Sequence, residues 1–158
     1  MSELTRVFSF NPDTDLLAYY LEPRHLVVQK VLPALHWLHM GLVKQHWSNV
    51  ADPATLVDHV IDEFDLCLVR DTLICYSVNQ PWFTTDLWIS EEFVAPVGGN
   101  RASMEEVVQA FTKIGRSLGC VTLSIGTRAN PRQKGLAHLL EKTGARISTI
   151  ELIKDITP

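Results

Sequence analysis

Asp86-Leu-Trp-Ile-Ser-Glu-Glu-Phe-Val-Ala95, then Pro96-Val-Gly-Gly-Asn-Arg-Ala102, then Ser103: the reading of this stretch decides the fold. The first segment reads as a strand, the second as a glycine-rich loop, and Ser103 opens a helix running to about Leu118. Residues 120–126 read as a further strand, and residues 131–142 as a second helix closed by Gly144. Strand, loop, helix, strand, helix is a βαβ unit with one helix appended. A loop that leads from a strand into a helix N-terminus aims backbone N–H groups and the positive dipole end at one spot. A phosphate can sit there.

Outward from this unit, residues 4–10 alternate as a short first strand, and Asn11-Pro12-Asp13 ends it. Pro23 suits the first turn of a helix. Val27, Val31, Ala34, Leu35, Leu38 and Leu42 then share one helical stripe, which Pro33 kinks or splits. Asp52-Pro53 is a cap followed by an N1 proline, opening a helix with Leu56, Val57, Val60, Ile61 and Phe64 on its apolar face. Residues 66–70 and 72–78 are apolar runs flanking Arg70-Asp71, an antiparallel hairpin whose sheet is covered on both sides. Past Gly144, residues 146–153 read as a final strand before a short polar tail.

The bulk composition narrows the class. A chain of 158 residues with 46% hydrophobic and 20% charged content is expected to form one domain with a real core. A formal net charge of −4 and no basic run argue against nucleic acid as a general partner. Cys67, Cys75 and Cys120 sit in strands among apolar neighbours, the pattern of reduced, buried thiols. The first residues lack the build of a signal peptide, and no apolar run reaches the roughly 18 residues of a membrane span. A cytoplasmic protein with no membrane partner is the expectation.

The order of elements, the loop and the closing Leu139-Leu-Glu-Lys-Thr-Gly-Ala145 resemble the GNAT superfamily of acyl-CoA-dependent N-acyltransferases. The resemblance is best over residues 66–153, and the Leu-Leu-Glu-Lys-x-Gly-Ala form is most similar to GNAT-like proteins of tailed bacteriophages. It implies a single α/β (α+β) domain with a mixed, largely antiparallel sheet and helices on both faces. It also implies a bulge late in the fourth strand, beside an acyl thioester. The following loop, of consensus Gln/Arg-x-x-Gly-x-Gly/Ala, would wrap the pyrophosphate of coenzyme A. On this basis acetyl-CoA would contact Phe93, Val94, Gly98, Gly99, Asn100, Arg101, Ala102 and Ser103, with Asn130 ahead of the last helix.

The loop departs from that consensus in every register. With Ala102 placed last, Val97 stands at the Gln/Arg position and Asn100 at the glycine, leaving Arg101 to reach a phosphate through its side chain. Ser103-Met-Glu-Glu106 is a capping box that uses the same helix end, and Glu105 and Glu106 place two carboxylates there.

Amine acylation needs a base, a polarised carbonyl and an acid. Glu91 and Glu92 are the candidate bases, with Ser90 and Tyr76 behind them, set against the plainer reading of exposed strand carboxylates. The acid that the resemblance implies, a tyrosine on the last helix, is Leu140 here. His36, His39 and His46 lie near one stripe but read as core-bordering histidines rather than metal ligands. The four tryptophans (Trp37, Trp47, Trp82 and Trp88) read as packing residues, and Arg128, Arg132 and Lys134 as a basic edge or a contact for a 3′-phosphate.

Two functions follow. One is N-acyl transfer from acetyl-CoA to an amine on a small molecule or protein. The other is a GNAT-like chain without catalysis, a binding or assembly component. The open edge of the 146–153 strand is expected to be covered, by a second copy of the chain in a homodimer before a partner protein.

Overall fold

The computed structural model describes residues 3–44, 50–126, 133–146, 154 and 156, with backbone alone at 133 and 134. Its elements are β1 (Leu4–Asn11), β2 (Leu16–Pro23), α1 (Arg24–Lys44), α2 (Pro53–Glu63), β3 (Asp65–Asn79), β4 (Leu87–Arg101), α3 (Met104–Ser117), β5 (Cys120–Ser124) and α4 (Gln133–Glu141). The five strands form one mixed sheet in the order β2-β1-β3-β4-β5. β1 pairs antiparallel with β2 and parallel with β3, while β4 pairs antiparallel with β3 and parallel with β5.

Alternation along the strands sends side chains into two cores, one on each face. On one face Val27, Val31, Ala34, Leu35 and Leu38 of α1 and Val60 and Ile61 of α2 pack on Val7, Leu66, Leu73, Cys75, Phe93 and Ala95. On the other, Val107, Ala110, Phe111 and Ile114 of α3 pack on Phe10, Cys67, Val69, Ile74, Tyr76 and Ile89. The α+β class and the helices on both faces are as expected from sequence.

Four local expectations are corrected. A second strand, β2, follows Asn11, and Pro23 closes that strand instead of opening the helix. The turn between β1 and β2 is held by the Asn11 side chain, which accepts the Asp13 N–H at 2.9 Å, and by Asp15 at φ 56°. Pro33 does not split α1, whose buried stripe continues on both sides of it. This 21-residue helix also has the length and apolar character of a membrane span, although five of its side chains are buried in the fold.

The third correction concerns β3. It is a single run of paired backbone where two strands and a turn are expected. The turn survives inside it: Arg70 has φ 50°, and the register with β4 breaks between Arg70 and Thr72. β3 therefore bends back at Arg70-Asp71, its first part against β1 and its second against β4.

The fourth is the glycine-rich loop, which is strand. β4 continues through it to Arg101, pairing Pro96 with Thr72 and Arg101 with Arg70. The physical reason is Asp71. Its carboxyl group packs where a Cβ on Gly98 would sit, only 2.8 Å from that position, and it accepts the Asn100 N–H at 2.9 Å. The glycine makes room for a neighbouring side chain.

Gly144 closes the last helix as expected, with φ 97° and its N–H on the Glu141 carbonyl. All three cysteines are free, and burial pushes the Cys67 thiol up to about 12. Residues 147–153 of the final strand, the dimer edge drawn on it, Asn130, His46, Trp47, Arg128 and Arg132 lie outside the described residues, as does the Lys134 side chain.

Candidate functional site

The N-terminus of α3 is where a diphosphate would have to bind, so the hydrogen-bond partner of each N–H there decides the question. The Ser103 hydroxyl accepts the Glu106 N–H at 3.1 Å, and the Glu106 carboxylate accepts the Ser103 N–H at 2.9 Å, which completes the capping box. Immediately upstream, the Ala102 N–H donates to the buried Thr72 hydroxyl at 2.9 Å, and the Asn100 N–H is taken by Asp71.

Arg70 adds a further closure. Its guanidinium donates to Glu106 at 2.6 and 2.9 Å and to Asp13 at 2.9 Å, tying the start of α3 to the β1–β2 turn. The Arg70 guanidinium, helped by the Ser103 N–H, holds the Glu106 carboxyl below the usual carboxylate range. A diphosphate arriving here would meet three carboxylates, Asp71, Glu105 and Glu106, and would find the Asn100, Ala102, Ser103 and Glu106 N–H groups already bonded within the chain. Of the residues that the resemblance assigns to the cradle, Asn100, Ala102 and Ser103 have their N–H groups bonded to Asp71, Thr72 and Glu106, and Gly98 and Gly99 are exposed. Arg101 is exposed, and among the described residues its guanidinium has no partner, which leaves it as a cationic group for an anion on this loop.

The second half of the expected site lies where β4 and β5 meet. Their parallel pairing runs from Leu87 with Cys120 to Ser90 with Ser124, and β4 continues well past the end of β5. One residue later β4 bulges: Tyr76 faces Glu91, Cys75 faces Phe93, and Glu92 is the extra residue. The bulge moves Phe93 into the core beneath α1 and leaves Val94 against the α3 core. Glu92 is exposed and accepts the Ser77 hydroxyl at 2.7 Å, whereas Glu91 is half-buried. Two adjacent carboxylates thus have different surroundings, and Glu92 is the one open to an incoming cation or amine. Tyr76 lies fully buried edge-on to Phe111, and burial pushes its hydroxyl well above its ordinary pKa. Ser90 donates to Asn79 at 3.4 Å.

Leu140, at the position of the acid in the resemblance, is buried and offers no proton. His39 meets the Ala51 carbonyl at 3.2 Å and His36 is exposed; among the described residues no three His, Cys, Asp or Glu side chains gather as metal ligands.

Reading the tryptophans as packing residues misses a surface feature. Trp82 and Phe83 are exposed on the turn between β3 and β4, and their rings stack edge-to-face with each other and on to Trp88. The signal was in the sequence: Gln80-Pro-Trp-Phe83 puts two large aromatic residues in a turn, where nothing is available to bury them. On the far side of α3 an open groove of about 540 Å³ is lined by Lys113, Arg116 and Lys142 among others, with Lys113 neutralised by Asp15 at 3.3 Å.

Compared with known proteins, the chain matches no protein-family model and no curated sequence.

Proposed function

We propose that the chain is a GNAT-like domain, of the kind the resemblance places in tailed bacteriophages, that acts as a binding or assembly component. Three features support the architecture: the helix pair α1–α2 ahead of β3, the parallel β4-α3-β5 crossover, and the bulge on β4. The observation that carries the non-catalytic reading is the start of α3, where Asp71, Thr72, Glu106 and Ser103 already accept the Asn100, Ala102, Ser103 and Glu106 N–H groups.

Thermal unfolding with acetyl-CoA tests it. The midpoint is expected to stay in place at millimolar ligand. Binding with the ligand at 100 times its dissociation constant would add roughly 2.7 kcal/mol, and such a shift overturns the reading.

A second reading, N-acyl transfer to an amine, draws on one specific observation. Glu92 bulges out of β4 just beyond the point where β5 ends, exposed and oriented by Ser77, as a base beside an acyl group would be. Amine-dependent release of free thiol from acetyl-CoA, lost in Glu92→Gln, would establish it.

A further inference from the structure

We infer that the face of the sheet at the β3–β4 turn is a docking surface for a lysine- or arginine-bearing peptide segment of a partner protein. Trp82 is 95% exposed and Phe83 62%. Such large apolar surface left in water marks contact sites more often than chance. The rings also pack on one another. Trp82 and Phe83 stand 5.7 Å apart at 90°, and Phe83 and Trp88 5.7 Å apart at 84°.

The turn beneath them is pinned. Thr84 donates its N–H to the Pro81 carbonyl, and its carbonyl and hydroxyl accept from the Gln80 amide and the Asp86 N–H, each at 3.1 Å. Aromatic faces held this way meet a partner without losing much conformational freedom.

A polar strip continues from the aromatic wall. Trp88 lies opposite Asn79, and Ser90 opposite Ser77. Ile89 and Tyr76 belong to the α3 core, so Trp88, Ser90, Ser77 and Asn79 take the other face. The bond from Ser77 to Glu92 brings that carboxylate to the far end of the strip, roughly 13 Å from Trp88 along the strand.

Charge selects the occupant. From Asp71 to Asn100 the chain holds no lysine, arginine or histidine, while Asp86 in the turn and Glu92 at the end of the strip are both carboxylates. A cation is attracted both by the carboxylates and by the indole faces. A nucleic-acid phosphate is repelled, and a second copy of the chain would bring like carboxylates together. The length of the strip suits an extended peptide with cationic side chains about four residues apart, one over the tryptophans and one at Glu92.

The inference holds whether or not coenzyme A binds, so its test and the acetyl-CoA experiment fail independently. Tryptophan fluorescence at low salt would follow titration of the full chain with hexalysine, hexaglutamate and spermidine. Hexalysine is expected to bind at submillimolar concentration and hexaglutamate not to bind. Trp82→Ala should weaken hexalysine about 3–30-fold, the range for a cation over an indole, with circular dichroism unchanged; its affinity is read by calorimetry. Glu92→Gln should weaken it at least threefold. Glu63→Gln, an equal charge change at an exposed site on α2, should leave it unaltered.

Equal losses in Glu63→Gln and Glu92→Gln would mean general attraction to an acidic chain and would overturn the proposal. So would an unaffected Trp82→Ala, absence of hexalysine binding, or spermidine binding as tightly as hexalysine, which would point to a free amine.

Discussion

Tyr76 is buried to its hydroxyl, yet that oxygen has no hydrogen-bond partner among the described residues. A buried polar group left unpaired costs about 1–3 kcal/mol, so Tyr76→Phe should raise stability, by roughly 1 kcal/mol in urea denaturation. A loss of stability would show that something holds the hydroxyl. Glu106 gives a pH prediction with a definite sign. Unfolded, it titrates near 4.5; folded, Arg70 and the Ser103 N–H lower that value. Its contribution is complete above 4.5 and is lost as pH falls through the lower folded value. Acid unfolding followed from about pH 5 to about pH 3 should be shallower in Glu106→Gln, which lacks the titrating group. At this scale the capping box was readable, because Ser103 and Glu106 stand at the spacing that makes one. The arginine that clamps it was not. Arg70 reaches Glu106 from 36 positions away, and only the bend in β3 brings it there.

Among the elements, α2 was the plainest to read: Asp52 caps it through the Ala54 N–H at 2.8 Å, and Pro53 begins it. β2 escaped because Leu-Leu-Ala-Tyr-Tyr-Leu has no alternation: it lies at the sheet's outer edge, with apolar side chains exposed. The glycine-rich segment misled for a different reason. Glycine marks a position where something approaches the backbone closely, and the sequence does not say whether that is a phosphate or Asp71. Gly98→Ala tests which it is. The new methyl would overlap Asp71 and should cost about 1–3 kcal/mol, recovered in part when Asp71 is also replaced by Ala; a neutral Gly98→Ala would refute the packing account. Ser103→Ala should cost about 1 kcal/mol through loss of the cap, measured by the same denaturation.

For the molecule as a whole, the three-layer arrangement was legible because every long helix carries an apolar stripe and the inner strands are apolar on both faces. The order of strands was not, since nothing local records that β1 lies beside β3. That adjacency governs how the fold assembles in time. Phe8, Ser9 and Phe10 pair with Cys67, Leu68 and Val69 across roughly 60 residues of chain, so this parallel ladder closes a far longer loop than the β3–β4 pairing does. The β1–β2 hairpin is accordingly expected to dock last and leave first, since one short ladder and the core side chains Val7 and Phe10 join it to the rest of the sheet. Its tip is tied down by Asp13 to Arg70 and by Asp15 to Gln109 and Lys113. Amide exchange should reach β1 and β2 before β3 and β4, and Asp15→Asn should widen the gap. A hairpin that detaches on its own would expose the first edge of β3, and at high protein concentration a hairpin from another molecule could take its place, making exchange of this hairpin between copies the misassembly to which the fold is most prone.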